Sequence, residues 1–465
     1  MDQSPQHAAS VLTKWDPGMP DLGSDRRRLG TELSAALAVA GREPVTARTC
    51  WQLFTQGDPV RYADVCAALG EDVTDLARRR GLLTPIDDAE FVRSTACIAQ
   101  VELPNLTAWV ASDFGWQDLE PAYVGGPGNA ALTLAKAMVP SPGAGLGVDM
   151  GTGSGALAVM LAGGFDDVIV TDVNPRALAY AELTAALNEL QWQCRLGSFT
   201  AALPLNPEPT YIVSNPPFVL GNPDHTNQFR DALDGARQPF RLVEELSQVL
   251  ADGGVGQFLA NWAYLAGEDD PVNSLLTHAT DHDCDIVVIE RAMVDLPTYV
   301  DLWTEERGGR HRAWVDRLAE AGVRAIGTGI VTVRRRRSGD PFFAVQRHTE
   351  ESTATFGASL GRWLDRLRLT DSAAGLTEEV VLKAAPYVVE PDGQFTFVRV
   401  DDELGLRLLT DDHGLESEVL PILQQCHTPR AVADIAVSKL SRAEIIEAVE
   451  WYVEVGLLEP VASAR

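Results

Sequence analysis

The stretch GVDMGTGSGALAV, residues Gly147 to Val159, decides the fold of the central part of this chain. It begins as an apolar strand, turns through closely spaced glycines and continues as an apolar helix. Gly151, Gly153 and Gly155 let the backbone turn tightly and let a ligand approach without a Cβ atom in the way. A strand that runs through such a turn into a helix predicts a parallel α/β sheet, with a ligand at the helix N-terminus.

Two classes of adenosine-bearing ligand fit this loop. Counted from Gly151 as G-x-G-x-x-A, it matches the relaxed dinucleotide-binding pattern. Counted from Asp149 as D-x-G-x-G-x-G, with Thr152 inside the turn, it fits the loop that binds S-adenosylmethionine. An acid ahead of the glycines would hydrogen-bond through the loop to the amino group of a methionine moiety, whereas it would repel a pyrophosphate. Asp149 therefore favours S-adenosylmethionine over NAD, and a tight turn without a ligand is the structural alternative.

A second acid supports an adenosine ligand. Asp172 ends the next strand, in VIVTDVNPRAL, 17 residues after Gly155. An acid at this position can bind both ribose hydroxyls, in either class of cofactor. Asn174 and Pro175 then begin a helix, since proline is well tolerated in the first turn. The structural alternative for Asp172 is a cap on that helix.

The motif that separates the two ligand classes is Asn215-Pro216-Pro217-Phe218, directly after the apolar strand YIVS. Two prolines stiffen the chain and remove two N–H donors, which leaves the Asn215 side chain and the Pro216 carbonyl as fixed acceptors. Two acceptors suit the two hydrogens of a planar NH2 group, and Phe218 offers a flat face to stack on it. The motif can also occur by chance in a turn.

Outward from these motifs, short apolar strands alternate with helical segments, which predicts a doubly wound α/β fold over residues 121–337. A long insertion, Pro297 to Ala321, is predicted to be helical and to place Tyr299, Trp303 and Trp314 near the rim of the sheet. Seven strands are expected, at Gly145 to Met150, Val168 to Asp172, Cys194 to Gly197, Tyr211 to Ser214, Gly254 to Ala260, Asp285 to Glu290 and Ile326 to Arg334.

The flanks read as two winged-helix-like α+β modules, because each has two helices followed by a Gly-Leu-Leu turn and an extended segment. Residues 1–24 are predicted to be a flexible arm, 25–120 the N-terminal module, and 338–465 a C-terminal domain ending in the second module. From Asp401 to Arg465 the net charge is -8, and the expected recognition helix, Arg442 to Val455, has four Glu and one Arg. Such a helix would repel phosphate, so duplex DNA is an improbable partner and protein docking is favoured.

Composition sets further limits. The 465 residues have a formal charge of -28, which disfavours simple nucleic-acid binding. The one strong basic run, Arg334 to Arg337, is either a solvated strand end or a local grip on RNA phosphate or on an acidic protein segment. Six scattered cysteines indicate reduced thiols in a cytoplasmic protein without a metal site, and no stretch predicts a membrane span.

The chain resembles the class I S-adenosylmethionine-dependent methyltransferases that modify planar nitrogens. This group includes the release-factor glutamine N5-methyltransferases, the adenine-N6 methyltransferases and the ribosomal RNA guanine-N2 methyltransferases. The resemblance rests on Asp149 to Gly155, Asp172 and the Asn-Pro-Pro-Phe motif, and covers about 200 of the 465 residues. DMGTGSGALAV with VSNPPF is especially similar to release-factor glutamine methyltransferases and their "methyltransferase small domain" relatives. It implies a Rossmann-like sheet, S-adenosylmethionine bound by Asp149, Gly151, Thr152, Gly153, Gly155, Asp172 and Asn215, and an acceptor nitrogen bound by Asn215, Pro216, Pro217 and Phe218.

Three departures from that family limit what can be carried over. Ser198 stands where the family usually has an acid that contacts adenine, and Phe199 after it is a candidate for stacking. Phe218 replaces the more usual Tyr, and Val219 replaces a His common in the guanine enzymes. The flanking modules have no counterpart in a plain release-factor enzyme.

The sequence thus predicts an N-methyltransferase acting on an NH2 group of a macromolecule, with protein glutamine slightly favoured over an RNA or DNA base. A non-catalytic scaffold that binds S-adenosylmethionine is the alternative from another class. The loop residues Asp224 and His225 are expected to form a lid and not to act as catalysts.

Overall fold

The computed structural model describes residues 26–86, 90–117, 122–140, 143–204, 206–222, 231, 237–267, 270–304, 308–336, 341–347, 357–370, 380–385, 387–392, 395–400, 407–409, 419–438, 440–454 and 457–461. The predicted N-terminal arm lies outside this set. The chain divides into two compact units. The first comprises Met1–Ala135, Ser141–Gln238 and Gly256–Leu259, and the second Lys136–Pro140, Pro239–Val255 and Ala260–Arg465.

The first unit begins with four helices and five short strands. The helices are α1 (Arg26–Ala40), α2 (Pro44–Cys50), which continues as a π-helical turn (Trp51–Gln56), α3 (Tyr62–Leu69) and α4 (Glu71–Arg79). The strands are β1 (Val60–Arg61), β2 (Leu83–Ile86), β3 (Phe91–Ser94), β4 (Cys97–Leu103) and β5 (Leu106–Ser112). Strands β1, β3 and β2 form an antiparallel sheet in that order, and β4 and β5 form a hairpin. The winged-helix interpretation of this region stays a prediction.

The rest of the first unit contains the parallel strands. Its elements are α5 (Asn129–Ala137), β6 (Leu146–Met150), α6 (Ala156–Leu161), β7 (Asp167–Asp172), α7 (Pro175–Leu187), β8 (Gln193–Leu196) and β9 (Tyr211–Ser214). Strand β6 is buried at every position, as a central parallel strand covered on both faces requires. Asn174 caps α7 by accepting a hydrogen bond from the Arg176 N–H, and Pro175 occupies the first turn.

The large sheet is mixed and has eight strands. Its remaining strands are β10 (Val255–Leu265), β11 (Cys284–Asp295), β12 (Val323–Arg335) and β13 (Phe343–Arg347), and the order is β13-β11-β12-β10-β9-β6-β7-β8. All seven predicted strands are present, and their number is corrected to eight by β13, which pairs in parallel with β11. The sequence argument missed β13 because this short, half-buried strand lies beyond the basic run at which the sheet was expected to end.

The helices between β9 and β13 include the predicted insertion. They are α8 (Gln238–Val249), α9 (Ser274–Asp281), α10 (Leu296–Asp301) and α11 (Gly309–Glu320). The insertion is therefore helical, but Tyr299 and Trp314 are only 0% and 2% exposed. The Tyr299 hydroxyl accepts a hydrogen bond from Asn261 Nδ2 at 2.9 Å. Both aromatic residues belong to the core of the second unit, so their predicted place at a ligand-binding rim is wrong.

The C-terminal elements form two further small sheets. The elements are α12 (Gly357–Thr370), β14 (Val381–Ala384), β15 (Tyr387–Asp392), β16 (Phe395–Val400), β17 (Arg407–Leu409), α13 (Val419–Gln425), β18 (Arg430–Ala431), α14 (Arg442–Glu454) and β19 (Leu458–Pro460). The sheet orders are β18-β14-β19 and β15-β16-β17. Ser441 and Glu444 exchange hydrogen bonds at the start of α14, a capping box at the predicted helix start. The described helices include no segment with the length and apolar character of a membrane span.

Candidate functional site

The glycines of the loop between β6 and α6 have different surroundings. Gly151, Gly153 and Gly155 all have left-handed backbone conformations, with φ of 74°, 54° and 83°. A Cβ atom on Gly151 or Gly153 would meet no described atom within 4 Å, whereas one on Gly155 would lie 3.1 Å from Ala181 Cα in α7. The first two glycines therefore leave open space for a ligand. Gly155, which was predicted to contact the cofactor, instead allows close packing between the loop and α7.

A cavity of about 350 Å³ opens over this loop, at the carboxyl ends of β6, β7 and β9. It brings together most of the predicted site residues, which are Asp149, Gly151, Thr152, Gly153, Asp172, Ser198, Phe199, Asn215, Pro216 and Pro217. Gly155 and the half-buried Phe218 are not among its lining residues. The motifs separated by more than sixty residues in the chain thus share one cavity because parallel strands place their carboxyl ends on the same edge.

Asp149 lies at the bottom of the loop and is 1% exposed. Its Oδ2 accepts hydrogen bonds from Thr152 Oγ1 at 2.7 Å and from the Ala158 N–H at 3.0 Å. Its buried Oδ1 has no hydrogen-bond partner within the part of the chain that the structure describes. Burial raises the pKa of Asp149 to about 7. A donor or a positive charge from a ligand would satisfy this oxygen and stabilise the carboxylate.

Asp172 ties the loop to the next strand. It is 8% exposed, its Oδ2 accepts from the Gly153 N–H at 3.0 Å, and its Oδ1 accepts from the Asn174 N–H at 2.8 Å. Burial raises its pKa. Since Asn174 is the helix cap, the interpretation of Asp172 as that cap is wrong. The carboxylate has about four acceptor sites, so at least one remains for a ribose hydroxyl besides the backbone N–H groups of Gly153, Val173 and Asn174.

Ser198 and Phe199 line the cavity after β8. Phe199 has a φ of 44°, an uncommon conformation for an aromatic residue, and it begins a 3-10 turn, Phe199–Ala202. Backbone strain of this kind persists where the surrounding structure holds a residue in place, and it is frequent at ligand sites. The position agrees with the predicted contact to an adenine ring, which stays a prediction.

The Asn-Pro-Pro-Phe motif follows β9 on the opposite side of the cavity from Asp172. Asn215 is half-buried, and its Oδ1 is enclosed without a hydrogen-bond partner among the described residues. The preceding Ser214 donates from Oγ to the Met150 carbonyl at 2.7 Å and so fastens the end of β9 to β6. The site therefore contains a second buried acceptor, besides Asp149 Oδ1, that a ligand could satisfy.

Sequence reasoning missed one wall of the cavity. The segment Tyr123-Val124-Gly125-Gly126-Pro127-Gly128 lines it just ahead of α5. The available signal was its run of Gly, Gly, Pro and Gly, which keeps side chains out of the way of a ligand. Asn174 Nδ2 donates to the Ala122 carbonyl at 3.0 Å and holds the start of this segment close to Asp172.

The predicted basic run is not a surface patch in its described part. Arg334 is fully buried, and both it and Arg336 form ion pairs with the buried Asp285. Arg335 donates to the Leu250 carbonyl and pairs with Asp252 at 3.6 Å. Arg334 and Arg336 therefore fit neither sequence-based interpretation, a solvated strand end or a phosphate grip, whereas the Arg335 side chain remains 31% exposed. Arg337 and the expected lid residues Asp224 and His225 lie outside the described residues.

The cavity fits an S-adenosylmethionine-sized ligand by three criteria. Gly151 and Gly153 form a cradle that Cβ atoms would fill, and Asp149 Oδ1 is a buried acceptor without a partner in the described structure. The volume lies within the range typical of small-molecule sites, about 300–1,000 Å³.

The chain was compared with known families, curated proteins and solved structures. The family model of the methyltransferase small domain matches residues 128–252. No curated protein matches the chain significantly in sequence. Similar solved structures include the YcgJ protein of Bacillus subtilis, with 12% identity, coverage of 45% of this chain and 98% of that chain, and a TM-score of 0.30.

Two further solved structures show the same level of similarity. The ribosomal protein L11 methylase of Lactobacillus delbrueckii subsp. bulgaricus is 20% identical over 45% of this chain and 77% of its own, with a TM-score of 0.26. The geranyl diphosphate C-methyltransferase of Streptomyces coelicolor, solved with S-adenosyl-L-homocysteine, is 15% identical over 44% of this chain and 77% of its own, with a TM-score of 0.28.

Proposed function

We propose that this chain is an S-adenosylmethionine-dependent methyltransferase that methylates a planar NH2 group of a macromolecule; the match of residues 128–252 to the family model of the methyltransferase small domain supports this proposal. The observation that carries the proposal is the buried, unpartnered Oδ1 of Asn215 on the wall of the cavity that also contains Asp149 and Asp172. An acceptor atom in this state requires a donor from a ligand, and an NH2 group is such a donor.

The cofactor would be held by residues of the loop and of the two strands beside it. S-adenosylmethionine, when bound, supplies a methyl group on a positively charged sulfur. Asp149 offers its free Oδ1 to the amino group of the methionine moiety, and Gly151 and Gly153 let the backbone approach it. Asp172 would bind the ribose hydroxyls, and Ser198 and Phe199, which also line the cavity, would contact the adenine.

The acceptor would be oriented by Asn215 and the Pro216 carbonyl. Each accepts one hydrogen of the NH2 group, so the nitrogen lone pair is directed toward the methyl group. Pro216 and Pro217 keep the backbone rigid at this point. Catalysis then depends on orientation and on electrostatic stabilisation of the charge that develops on nitrogen. The last proton leaves to solvent, and no strong base is needed.

A protein glutamine is the favoured acceptor. The formal charge of -28 opposes a phosphate backbone. Arg334 and Arg336 were candidates for binding phosphate, but both form ion pairs with the buried Asp285. A protein substrate does not have to overcome this charge, and the flanking modules provide surface for docking it.

The test is Asn215→Ala. Tritiated S-adenosylmethionine is incubated with the full chain and fractionated cell extract, and the labelled fractions are treated with protease or ribonuclease. Methyl transfer should fall by about 10²–10³, the usual loss for one preorganised hydrogen-bonding group at a reacting centre. The melting temperature and the affinity for S-adenosylhomocysteine should stay near wild type, because Asn215 Oδ1 makes no hydrogen bond within the described protein.

Asn105→Gly is the matched control, since Asn105 lies in the β4–β5 turn with a φ of 65°, which glycine adopts readily. This variant should keep full transfer activity. If Asn215→Ala also keeps full activity, other residues must orient the acceptor and the proposed mechanism is wrong. Protease-resistant, ribonuclease-sensitive label would move the acceptor from protein to RNA.

A further inference from the structure

Side chains in helix α7 and directly after it form hydrogen bonds with the backbone of strand β5, as a neighbouring strand would. The Trp109 N–H donates to Asn188 Oδ1 at 3.0 Å, and Asn188 Nδ2 donates back to the Trp109 carbonyl at 2.7 Å. One residue pair further along, the Ala111 N–H donates to Thr184 Oγ1 at 3.0 Å. These bonds fix the direction in which the chain leaves β5, and the first residue after the strand is Asp113.

Asp113 is 3% exposed, and its carboxylate accepts hydrogen bonds from four donor groups that belong to three residues. Tyr180 donates from its hydroxyl to Oδ1 at 2.6 Å, and Arg176 Nε donates to Oδ2 at 2.9 Å, while Arg176 Nη2 also pairs with Oδ1. The Val124 N–H donates to Oδ2 at 2.8 Å. In addition, the Asp113 N–H donates to the Val124 carbonyl at 2.8 Å. Asp113 therefore connects helix α7 to Val124 through charge-assisted hydrogen bonds.

Val124 belongs to the cavity wall that the sequence analysis missed, Tyr123 to Gly128. Two contacts clamp the start of this wall, from Asp113 to Val124 and from Asn174 to the Ala122 carbonyl. Gly125, Gly126 and Gly128 follow, and glycines by themselves do not hold a backbone in one conformation. The position of the wall over the cofactor loop thus depends on the contacts at its start.

We propose that Asp113 is a positioning residue for the cofactor, which it serves by holding the wall Tyr123 to Gly128 in place. Asp113 does not line the cavity. Its contribution is preorganisation, since a wall that is already in position costs no ordering free energy when the cofactor binds. The inference uses S-adenosylmethionine binding alone and does not depend on which group is methylated. It assigns to the predicted N-terminal module, residues 25–120, a residue that supports the cofactor site.

The test is the affinity of the full chain for S-adenosylhomocysteine, measured by calorimetric titration well below the melting temperature. Asp113→Asn keeps the shape of the side chain but removes the charge and turns an amide N–H toward groups that are themselves donors. The dissociation constant should rise by about tenfold to a hundredfold, the range for losing hydrogen bonds to a charged group. Tyr180→Phe removes one neutral donor and leaves the ion pair, so its effect should be about twofold to tenfold.

Asp75→Asn is the matched control, because Asp75 also accepts from a tyrosine hydroxyl, that of Tyr62 at 2.7 Å, and pairs with Arg78 and Arg79. This network does not touch the cavity wall, so the affinity should stay within about twofold of wild type. In turnover, Asp113→Asn should raise the KM for S-adenosylmethionine with little change in kcat, as expected when binding is lost equally from ground and transition states.

A merely structural role would give a different pattern. If Asp113→Asn lowers the melting temperature but binds S-adenosylhomocysteine as wild type does, the proposal is overturned. An equal loss of affinity in Asp75→Asn would overturn it as well, since the effect would then be general destabilisation. If Asp113→Asn does not fold, wild-type affinity in Tyr180→Phe and Arg176→Lys contradicts the proposal. The binding assay needs no methyl acceptor. It can therefore contradict the role of Asp113 while the role of Asn215 holds, and the transfer assay can contradict the role of Asn215 while that of Asp113 holds.

Discussion

At the scale of single residues, the two oxygens of the Asp149 carboxylate have different surroundings. Oδ2 is hydrogen-bonded to Thr152 and to the backbone of α6, and so stabilises the loop. Oδ1 has no partner among the described residues. Burial is the main reason that the pKa of this acid is raised to about 7, and the carboxylate of Asp172 adds to the rise. In the absence of ligand, Asp149 therefore titrates near neutral pH.

This titration predicts a pH dependence of cofactor affinity. An ammonium group beside Asp149 favours the carboxylate, so binding lowers the pKa and releases a proton wherever the free protein still holds one. Affinity for S-adenosylhomocysteine should therefore increase from about pH 5.5 to about pH 7, by up to about tenfold per pH unit, and level off above. Calorimetry in buffers of different ionisation enthalpy measures the released proton.

Asp149→Asn identifies the group responsible. This variant should bind more weakly and with no pH dependence between about pH 5.5 and 7. An unchanged slope in Asp149→Asn would assign the proton to another acid, with Asp172 the first candidate because its pKa is also raised by burial.

At the scale of elements, helix α7 packs against α1 and β5 as well as against the sheet. Its residues Ala177, Tyr180, Leu183 and Leu187 share one hydrophobic cluster with residues of α1 such as Leu29 and Leu33. The helices cross closely at Gly30, where a Cβ atom would lie 2.2 Å from Ala186 Cβ. Small residues on both helices allow this approach, and it is a contact that helical periodicity alone does not reveal.

Gly30→Ala should consequently destabilise the protein, although glycine to alanine inside an exposed helix is usually stabilising. The added methyl group forces the helices apart, at a cost of about 1–3 kcal/mol in the free energy of unfolding, as measured by urea denaturation. Adding Ala186→Gly to this variant should recover part of the loss. A Gly30→Ala protein more stable than wild type would mean that the helices do not cross this closely.

At the scale of the whole molecule, charge is strongly unbalanced, and Arg334 and Arg336 of the predicted basic run form ion pairs inside the protein. Asp285 accepts from Arg334 Nε at 2.6 Å, from Arg336 Nη1 at 2.5 Å and from the Phe342 N–H at 2.9 Å. Arg334 and Asp285 have fully buried side chains. Cations in this position neutralise a buried acid and are not available to a nucleic acid.

Asp285→Asn should be strongly destabilising, because it leaves Arg334 without a counter-ion in the protein interior. We expect a loss of about 3–5 kcal/mol in the free energy of unfolding, nearly independent of salt. Asp64→Asn, which breaks the exposed pair with Arg61, should cost at most about 1 kcal/mol. Equal, small losses in the two variants would show that Asp285 is not desolvated.

The sequence by itself determined the central sheet and most of the cavity. Strands β6 and β9 are buried at every position, and such continuous burial leaves a direct trace in composition, whereas β8, which was also predicted, is exposed or half-buried along its length. The motif residues Asp149, Asp172 and Asn215 meet in one cavity for the reason their positions suggested, since each lies in or directly after a strand at its carboxyl end.

Only the tertiary structure decided which residues support that cavity and which are merely buried. Gly155 packs against α7, Arg334 pairs with Asp285, and Tyr299 lies in a core, although the sequence suggested a ligand contact for each. The wall at Tyr123 to Gly128 and its tether Asp113 also went unseen. A sequence motif reflects the local requirements of the backbone. The role of Asp113 depends instead on Arg176, which lies 63 residues away in the chain and comes close only on folding.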